Sequence, residues 1–231
     1  MQEEVKGGLR KPWLALLLII PIPTLSVLFS LEVAQGLAGG IVFVLSKVWI
    51  LALPLWWYLR FEKRPRSWSQ PTNGGWAMGA GMGLGMSAVI VLAWFLVGAE
   101  QIDRQGMRDL FEPSGLTNPW IFGAMMIYWI AGNSVLEEIV FRWFIFERCE
   151  HYVGGNGAIA LAAAAFTLHH TIAMSYYFEP ALVLLGTLGV FSAGAMWSWL
   201  YLRYRSIWIP YLSHAIVDVA IFGLGAYILL A

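Results

Sequence analysis

Two carboxylates and a guanidinium interrupt an otherwise apolar stretch of sequence. Glu137, Glu138 and Arg142 lie within residues 133–142 of a chain that is 59% hydrophobic. At helical spacing Glu138 and Arg142 share a face and can pair, whereas Glu137 is rotated by about 100° and has no local partner. Because an unpaired carboxylate inside a membrane helix is costly, this stretch indicates a functional site. The alternative is a helix end at the membrane interface with an ordinary ion pair.

Histidines and a further acidic residue occur in two later apolar runs. His214 and Asp218 are four residues apart, so their side chains project from one helical face. His169 and His170 point about 100° apart, and we expect at most one of them to face the same centre as Glu137. His170 is favoured because Phe166, one turn earlier, shares its face.

The depths of these residues are compatible with one polar centre. Counted from the predicted cytoplasmic ends of their helices, Glu137, His170 and His214 lie about 16, 20 and 10 Å deep at ~1.5 Å per residue. Converging carboxylates and imidazoles supply what water activation needs: a general base, a second proton carrier and a donor for a developing oxyanion. The same set could bind a divalent metal or relay protons in a transporter. The transporter is the weaker alternative because the chain lacks internal repeats.

Composition predicts the solvent in which the chain folds. Charged residues make up 12% of the 231 residues, about half the usual fraction for a soluble domain. The chain is therefore predicted to be an all-α, polytopic membrane helix bundle. Zero net charge without a basic run argues against a nucleic-acid partner. The one cysteine, Cys149, excludes an intramolecular disulfide, and we expect it to be a passive thiol near a helix end.

Seven apolar runs are long enough to cross a membrane. They lie at about 13–31, 41–59, 76–98, 119–146, 157–174, 181–202 and 207–230. We interpret the first run as a retained span rather than a signal peptide, because Pro21 and Pro23 interrupt it. The fourth run is too long for one perpendicular crossing, which predicts a tilt or a break near residues 132–133. Residues 1–118 then hold three spans and an outer loop, and residues 119–231 hold the four spans that contain the carboxylates and histidines.

Lysines and arginines alternate between the two predicted sides of the membrane. Lys6, Arg10, Lys11, Arg60, Lys63, Arg64, Arg66, Arg142, Arg148, Arg203 and Arg205 lie on one side, and Arg104 and Arg108 on the other. The positive-inside rule places the N-terminus in the cytoplasm and the buried polar centre in the cytoplasmic half. Lys47, inside the second span, is expected to snorkel or to pair with Glu32. Around Met107 the outer interval has the spacing of a short interfacial helix.

Three ordered motifs carry a family resemblance. They are Glu137-Glu138-x-x-x-Arg142, Phe166-x-x-x-His170 and His214-x-x-x-Asp218. In this order and on separate helices they resemble the signature of the CPBP family of intramembrane proteases, which includes the CAAX prenyl endopeptidases and prokaryotic relatives linked to bacteriocin self-immunity. The resemblance covers about residues 119–222. It implies an integral membrane protein of a prokaryotic cell membrane.

The resemblance implies a role for each motif. Glu137 would be the general base that polarises a water molecule shared with His170. Glu138 and Arg142 would form a structural ion pair. His214 and the residue at position 218 would face the scissile carbonyl and stabilise its oxyanion. The expected activity is that of an endopeptidase acting on a membrane-associated or lipid-modified substrate; the alternative is a catalytically idle protein of the same fold that serves as an immunity factor or scaffold.

Position 218 differs from the prenyl endopeptidases, in which it is Asn. Asp occurs there in prokaryotic relatives, but an ionised Asp218 cannot donate to an oxyanion. It would have to be protonated, orient His214 or ligate a metal. Family members have been described both as metalloproteases and as glutamate proteases, so a divalent ion such as zinc stays open. Its ligands would be His170, His214, Glu137 and Asp218, although we expect hydrolysis driven by Glu137 without an obligatory metal.

Overall fold

The computed structural model describes residues 8–33 and 36–231, and the regular structure in these ranges is entirely helical. The helices are α1 (Pro12–Val33), α2 (Leu37–Phe61), α3 (Trp76–Gln101), α4 (Arg104–Phe111), α5 (Pro119–Ser175), α6 (Pro180–Tyr204) and α7 (Trp208–Leu230). A short 3₁₀ turn, Glu112–Ser114, follows α4. Within the described ranges, six helices are long and apolar enough to cross a membrane, and α4 is the short one. The predicted all-α membrane architecture is confirmed.

Six candidate spans agree approximately with the seven predicted, because α5 contains two of them. This helix covers 57 residues and includes both predicted runs, 119–146 and 157–174. It is interrupted at Gly154, whose φ of 72° and ψ of 176° are not helical and are accessible to glycine because it has no Cβ. The interruption therefore separates α5 into a first and a second half, which pack against each other.

The break expected near residues 132–133 is not present. The backbone continues there as a π-helical turn, Tyr128–Asn133, with right-handed dihedral angles at Asn133. A second π-helical segment, Glu138–Phe146, follows one turn of α-helix, Ser134–Glu137. π-Helical turns are rare and occur frequently at functional sites. Further π-helical turns end or interrupt α1, α2 and α3 at Phe29–Val33, Trp57–Phe61 and Trp94–Gly98.

Small residues allow the helices around the centre to approach closely. A Cβ added to Gly79 or Gly83 of α3 would lie 2.7 Å from the Ile209 carbonyl oxygen or 2.9 Å from that of Ser213, so these positions let α3 pack directly on α7. Gly194 of α6 packs in the same way against the second half of α5. These contacts join α3 to α7 and α6 to the second half of α5.

The two ends of the bundle differ in charge. At one end, three ion pairs join neighbouring segments: Arg148–Glu62, Arg64–Glu147 and Arg205–Glu150. We call these six residues the charged end. At the other end, α4 contacts α7, and the Arg104 guanidinium lies 4.4 Å from the ring centroid of Tyr227. The helix expected around Met107 is thus present. Cys149 is buried beside the charged end.

Candidate active site

The three motifs meet inside the bundle. The first half of α5 supplies Glu137 and Glu138, its second half supplies His170, and α7 supplies His214 and Asp218. The relative exposures of Glu137, Glu138 and His214 are 7%, 0% and 4%, so these polar side chains are removed from the surface of the bundle. We call this group the polar centre. Helix packing therefore gathers residues that are up to 81 positions apart in the chain (137 to 218).

Glu138 connects two of the motifs. Its Oε2 lies 3.4 Å from Arg142 Nε, in the ion pair that the spacing predicts. Its Oε1 accepts a hydrogen bond from His214 Nδ1 at 2.9 Å. Since an ionised carboxylate can only accept, Nδ1 of His214 carries a proton and Nε2 is left to face the rest of the centre. Glu138 thus orients His214 in addition to pairing with Arg142.

Aromatic rings enclose the guanidinium of Arg142. Its central carbon lies 4.7 Å from the Phe166 ring centroid and 5.2 Å from that of Trp197. Trp197 also stacks on His214, with centroids 3.8 Å apart and an interplanar angle of 19°. The arginine is fully buried, so the rings and Glu138 replace water as its surroundings. This aromatic packing fixes both the Arg142 and the His214 side chains.

The two carboxylate oxygens of Glu137 have different surroundings. Oε1 accepts a hydrogen bond from Asn133 Nδ2 at 2.8 Å. Oε2 lies 3.7 Å from His214 Nε2. Glu137 also borders a cavity of about 50 Å³, whose lining includes His169, Lys47 and Ser26. One oxygen is therefore held in place, and the other is directed towards the polar centre.

The ring of His170 is oriented by its own helix. Its Nδ1 lies 2.9 Å from the Phe166 carbonyl oxygen, one turn earlier. A carbonyl can only accept a hydrogen bond, so Nδ1 carries the proton and Nε2 keeps its lone pair. The Phe166-x-x-x-His170 spacing thus has a direct structural consequence: it leaves a basic nitrogen for the polar centre.

His169 corrects the expectation that at most one of the neighbouring histidines faces Glu137. The rings of His169 and His170 are only 4.1 Å apart, and ligand atoms of Glu137, His169 and His170 all lie within 4.8 Å of one another. Both side chains bend towards the carboxylate although their Cα–Cβ bonds diverge. His169 also stacks on Phe141, with an interplanar angle of 13°.

Asp218 contacts the first motif as well as His214. Its Oδ2 accepts a hydrogen bond from Ser134 Oγ, and its Oδ1 lies 3.7 Å from His214 Nε2. Ser134 Oγ is also 2.8 Å from the Trp129 carbonyl oxygen. The single hydroxyl proton of Ser134 is shared between these two acceptors, and His214 Nε2 is the other group beside the carboxyl that can donate to it.

Several residues of the centre were not predicted from the sequence. They are Asn133, Ser134, Trp197, His169 and Lys47. Lys47 donates a hydrogen bond to Asn133 Oδ1, and does not use Glu32 for this contact as the sequence had suggested. Asn133 and Ser134 precede Glu137 by four and three residues, so helical spacing alone places them on its face. For Lys47 the available signal was a single cation within an apolar span.

The donor set suits a divalent metal in chemical type. Glu137, His169 and His170 provide one carboxylate and two imidazoles, as zinc sites do. This set differs from the one proposed from the sequence, because His169 is included and His214 and Asp218 are not. Lys47 interacts electrostatically with all three of these residues, and its positive charge opposes a nearby divalent cation. When bound, a metal there would polarise a water molecule or a carbonyl group.

The fold and the site define a helical membrane protein with a buried carboxylate–histidine centre. Residues 119–220 match the family model described as type II CAAX prenyl endopeptidase Rce1-like. The family resemblance carried by the three motifs is therefore confirmed, and it supports a CAAX-type intramembrane protease at the family level. The matched residues run from the start of α5 into α7. No curated protein and no solved structure matches the chain.

Proposed function

We propose that the protein is an intramembrane endopeptidase that hydrolyses a peptide bond of a membrane-associated or lipid-modified substrate. One observation carries the proposal: Glu137 has one oxygen held by Asn133 and the other 3.7 Å from His214 Nε2, beside a small cavity. A structural carboxylate in a bundle is normally saturated by a cation. Glu137 instead presents an oxygen to imidazoles, which is the arrangement that general base catalysis requires.

The cavity beside Glu137 provides space for the hydrolytic water. Its volume of about 50 Å³ exceeds the ~10–15 Å³ that one water molecule needs. Ser26 Oγ, from one of the lining residues, is buried and has no hydrogen-bond partner among the residues that the structure describes. Water would satisfy this group, because buried polar atoms are nearly always hydrogen-bonded.

The proposed reaction begins with proton transfer from water to Glu137. The water oxygen bonds to the scissile carbonyl carbon, and the carbonyl oxygen becomes an oxyanion. His214, oriented by Glu138 and Asp218, donates from Nε2 to this oxyanion in its doubly protonated form. The carbon–nitrogen bond then breaks, and the leaving amine takes a proton from Glu137. His170 Nε2 assists by exchanging protons with the same water.

Cleavage of defined peptides by the purified protein in liposomes tests the proposal. One probe carries a farnesylated cysteine followed by three residues between a fluorophore and a quencher, and its matched control lacks the farnesyl group. We expect the wild type to cleave the farnesylated peptide faster, at one bond identified by mass spectrometry. Glu137→Gln should cleave neither peptide. Absence of cleavage by the wild type would favour the idle scaffold over an enzyme.

Removal of metal by a chelator distinguishes hydrolysis without a metal from hydrolysis that requires one. Because the donor set lies near the ammonium of Lys47, whose positive charge opposes a divalent cation, we propose that no metal is required. Activity should then survive dialysis against a chelator. Loss of activity on dialysis, with recovery on adding zinc, would contradict the metal-free form and support ligation by Glu137, His169 and His170.

We further propose that the charged end faces the cytoplasm. The basis is the excess of lysines and arginines there over the opposite end, where Arg104 and Arg108 lie. Reporter fusions at Arg66 and Arg203 should report a cytoplasmic location, and a fusion at Ser114 an external one. The opposite result would place the polar centre in the outer half of the bilayer.

A further inference from the structure

Lys47 is a partly buried cation that lies outside the residues matched by the family model. It belongs to α2, whereas the match begins at residue 119. Its ammonium group donates a hydrogen bond to Asn133 Oδ1 and lies 5.3 Å from the ring centroids of both Phe43 and Trp129. The side chain is thus directed into the bundle, where two aromatic rings and an amide surround the ammonium, and it does not snorkel to the interface.

The contact with Lys47 decides how the amide of Asn133 is oriented. An ammonium group has donors and no acceptor, so the amide oxygen must face Lys47 and the amide nitrogen must face the other way. That nitrogen donates to Glu137 Oε1 at 2.8 Å. With the amide reversed, two oxygens would meet at Glu137 and two donors at Lys47. Lys47 therefore removes the alternative orientation.

The orientation of Asn133 in turn decides which oxygen of Glu137 is available. Oε1 is occupied by the amide, and Oε2 is the oxygen near His214 Nε2. Lys47 and Glu137 also line the same cavity, so the cation lies beside the space assigned to water. A carboxylate that is free to rotate about its last torsion angle has no fixed oxygen for the reaction. Glu137 is held by this chain of contacts, so its Oε2 remains the available oxygen.

We propose that Lys47 is a positioning residue that acts through Asn133 to hold Glu137 in the geometry for hydrolysis. The inference rests on the proposed function and extends it to a span that precedes the matched domain. The edge-to-face contact between Phe43 and Trp129, with centroids 6.4 Å apart, joins α2 to the same turn of α5. The N-terminal spans therefore complete the active site as well as enclosing it.

Steady-state kinetics of the full chain in liposomes, with the farnesylated peptide as probe, tests this role. The variants are Lys47→Met, which keeps the length of the side chain without its charge, Asn133→Leu, and the double variant. Lys47→Arg restores a cationic donor. Lys63→Met is the matched control, because it makes the same substitution at an exposed position of the loop after α2. Removing a charge from a span favours insertion, so Lys47→Met is expected to fold.

We expect Lys47→Met to lower kcat by on the order of 10- to 100-fold, the scale of a small displacement of a reacting group, with KM nearly unchanged. Asn133→Leu should lower kcat to a similar extent. The double variant should have a kcat no lower than that of the less active single variant, because both substitutions break one chain of contacts. Lys47→Arg should recover most of kcat, and Lys63→Met should match the wild type.

Three results would overturn the inference. They are a fully active Lys47→Met, a change confined to KM, and losses that multiply in the double variant, since the last would mean that Lys47 acts independently of Asn133. Each presupposes an active wild type. A wild type that cleaves no probe contradicts the proposed function instead, and the role of Lys47 is then withdrawn together with it.

Discussion

The charged end and the polar centre both contain acidic residues, and the partners of these carboxylates differ. In the charged end, carboxylates pair with arginines: Arg148 with Glu62 at 2.8 Å, Arg64 with Glu147 at 2.7 Å, and Arg205 with both oxygens of Glu150 at 2.7 Å. In the polar centre, Glu137 and Asp218 face His214, a hydroxyl and an amide. The first region uses permanent cations, and the second uses a titratable imidazole together with neutral hydrogen-bond donors.

The two kinds of partner indicate different roles for the carboxylates, structural at the charged end and chemical in the polar centre. An arginine stays protonated at any pH at which the protein would be studied, so its carboxylate partner cannot act as a base without losing the pair. At the charged end the pKa of Arg205 is raised by its hydrogen bonds to Glu150, and the pair remains ionised. Imidazole partners allow proton exchange with a carboxylate. Burial alone does not distinguish the two regions, because Arg148 is as deeply buried as Glu138.

Glu138 belongs to both patterns. It pairs with a permanent cation, Arg142, and it also accepts a hydrogen bond from His214. The ion pair keeps the carboxylate in place while the second oxygen orients a titratable ring. The polar centre is thus built on one structural ion pair that supports the side chains proposed to react.

The largest change in kcat is expected for a substitution of His214, and the same substitution of His151 is its control. His214→Gln should reduce kcat by about 10²- to 10⁴-fold, because a proton donor at the oxyanion is lost. His151→Gln, at an exposed position near the charged end, should leave kcat unchanged. Peptide cleavage in liposomes measures both. Equal effects of the two substitutions would break the distinction between the regions.

A second prediction compares two arginines by stability. Arg142→Ala leaves Glu138 without its cation in a fully buried site and should lower the free energy of unfolding by about 3–5 kcal/mol. Arg205→Ala removes a partly exposed pair and should cost less than about 1 kcal/mol. Denaturant titration in detergent micelles measures the difference. If Arg142→Ala is stable but inactive, the guanidinium takes part in the reaction.

The smallest expected effect is that of Asp218→Asn. The amide oxygen can still accept from Ser134, and the shape of the side chain is unchanged, so kcat should stay within about tenfold of the wild type. Asp218→Leu removes the acceptor and should lose considerably more activity. Metal analysis of the same preparations completes the experiment. Zinc that is bound by the wild type and lost from Asp218→Asn together with activity would assign Asp218 a ligand role.

Composition and residue spacing were sufficient to predict an all-helical membrane protein and a family resemblance, both of which are confirmed. The physical reason is that these properties are local. A span needs a run of apolar residues, and a motif such as Phe166-x-x-x-His170 places both side chains on one face of whichever helix forms.

Contacts between segments that are distant in the chain could not be predicted from the sequence. The spacing of Glu138 and Arg142 indicates their ion pair, but nothing in it indicates that His214 shares the carboxylate. The direction of an isolated Lys47 depends on whether Asn133 of another helix lies within reach, and the convergence of His169 and His170 depends on side-chain torsion angles rather than on helical periodicity. Only packing in three dimensions decides these contacts, because they join residues whose separation in the chain carries no information about their separation in space.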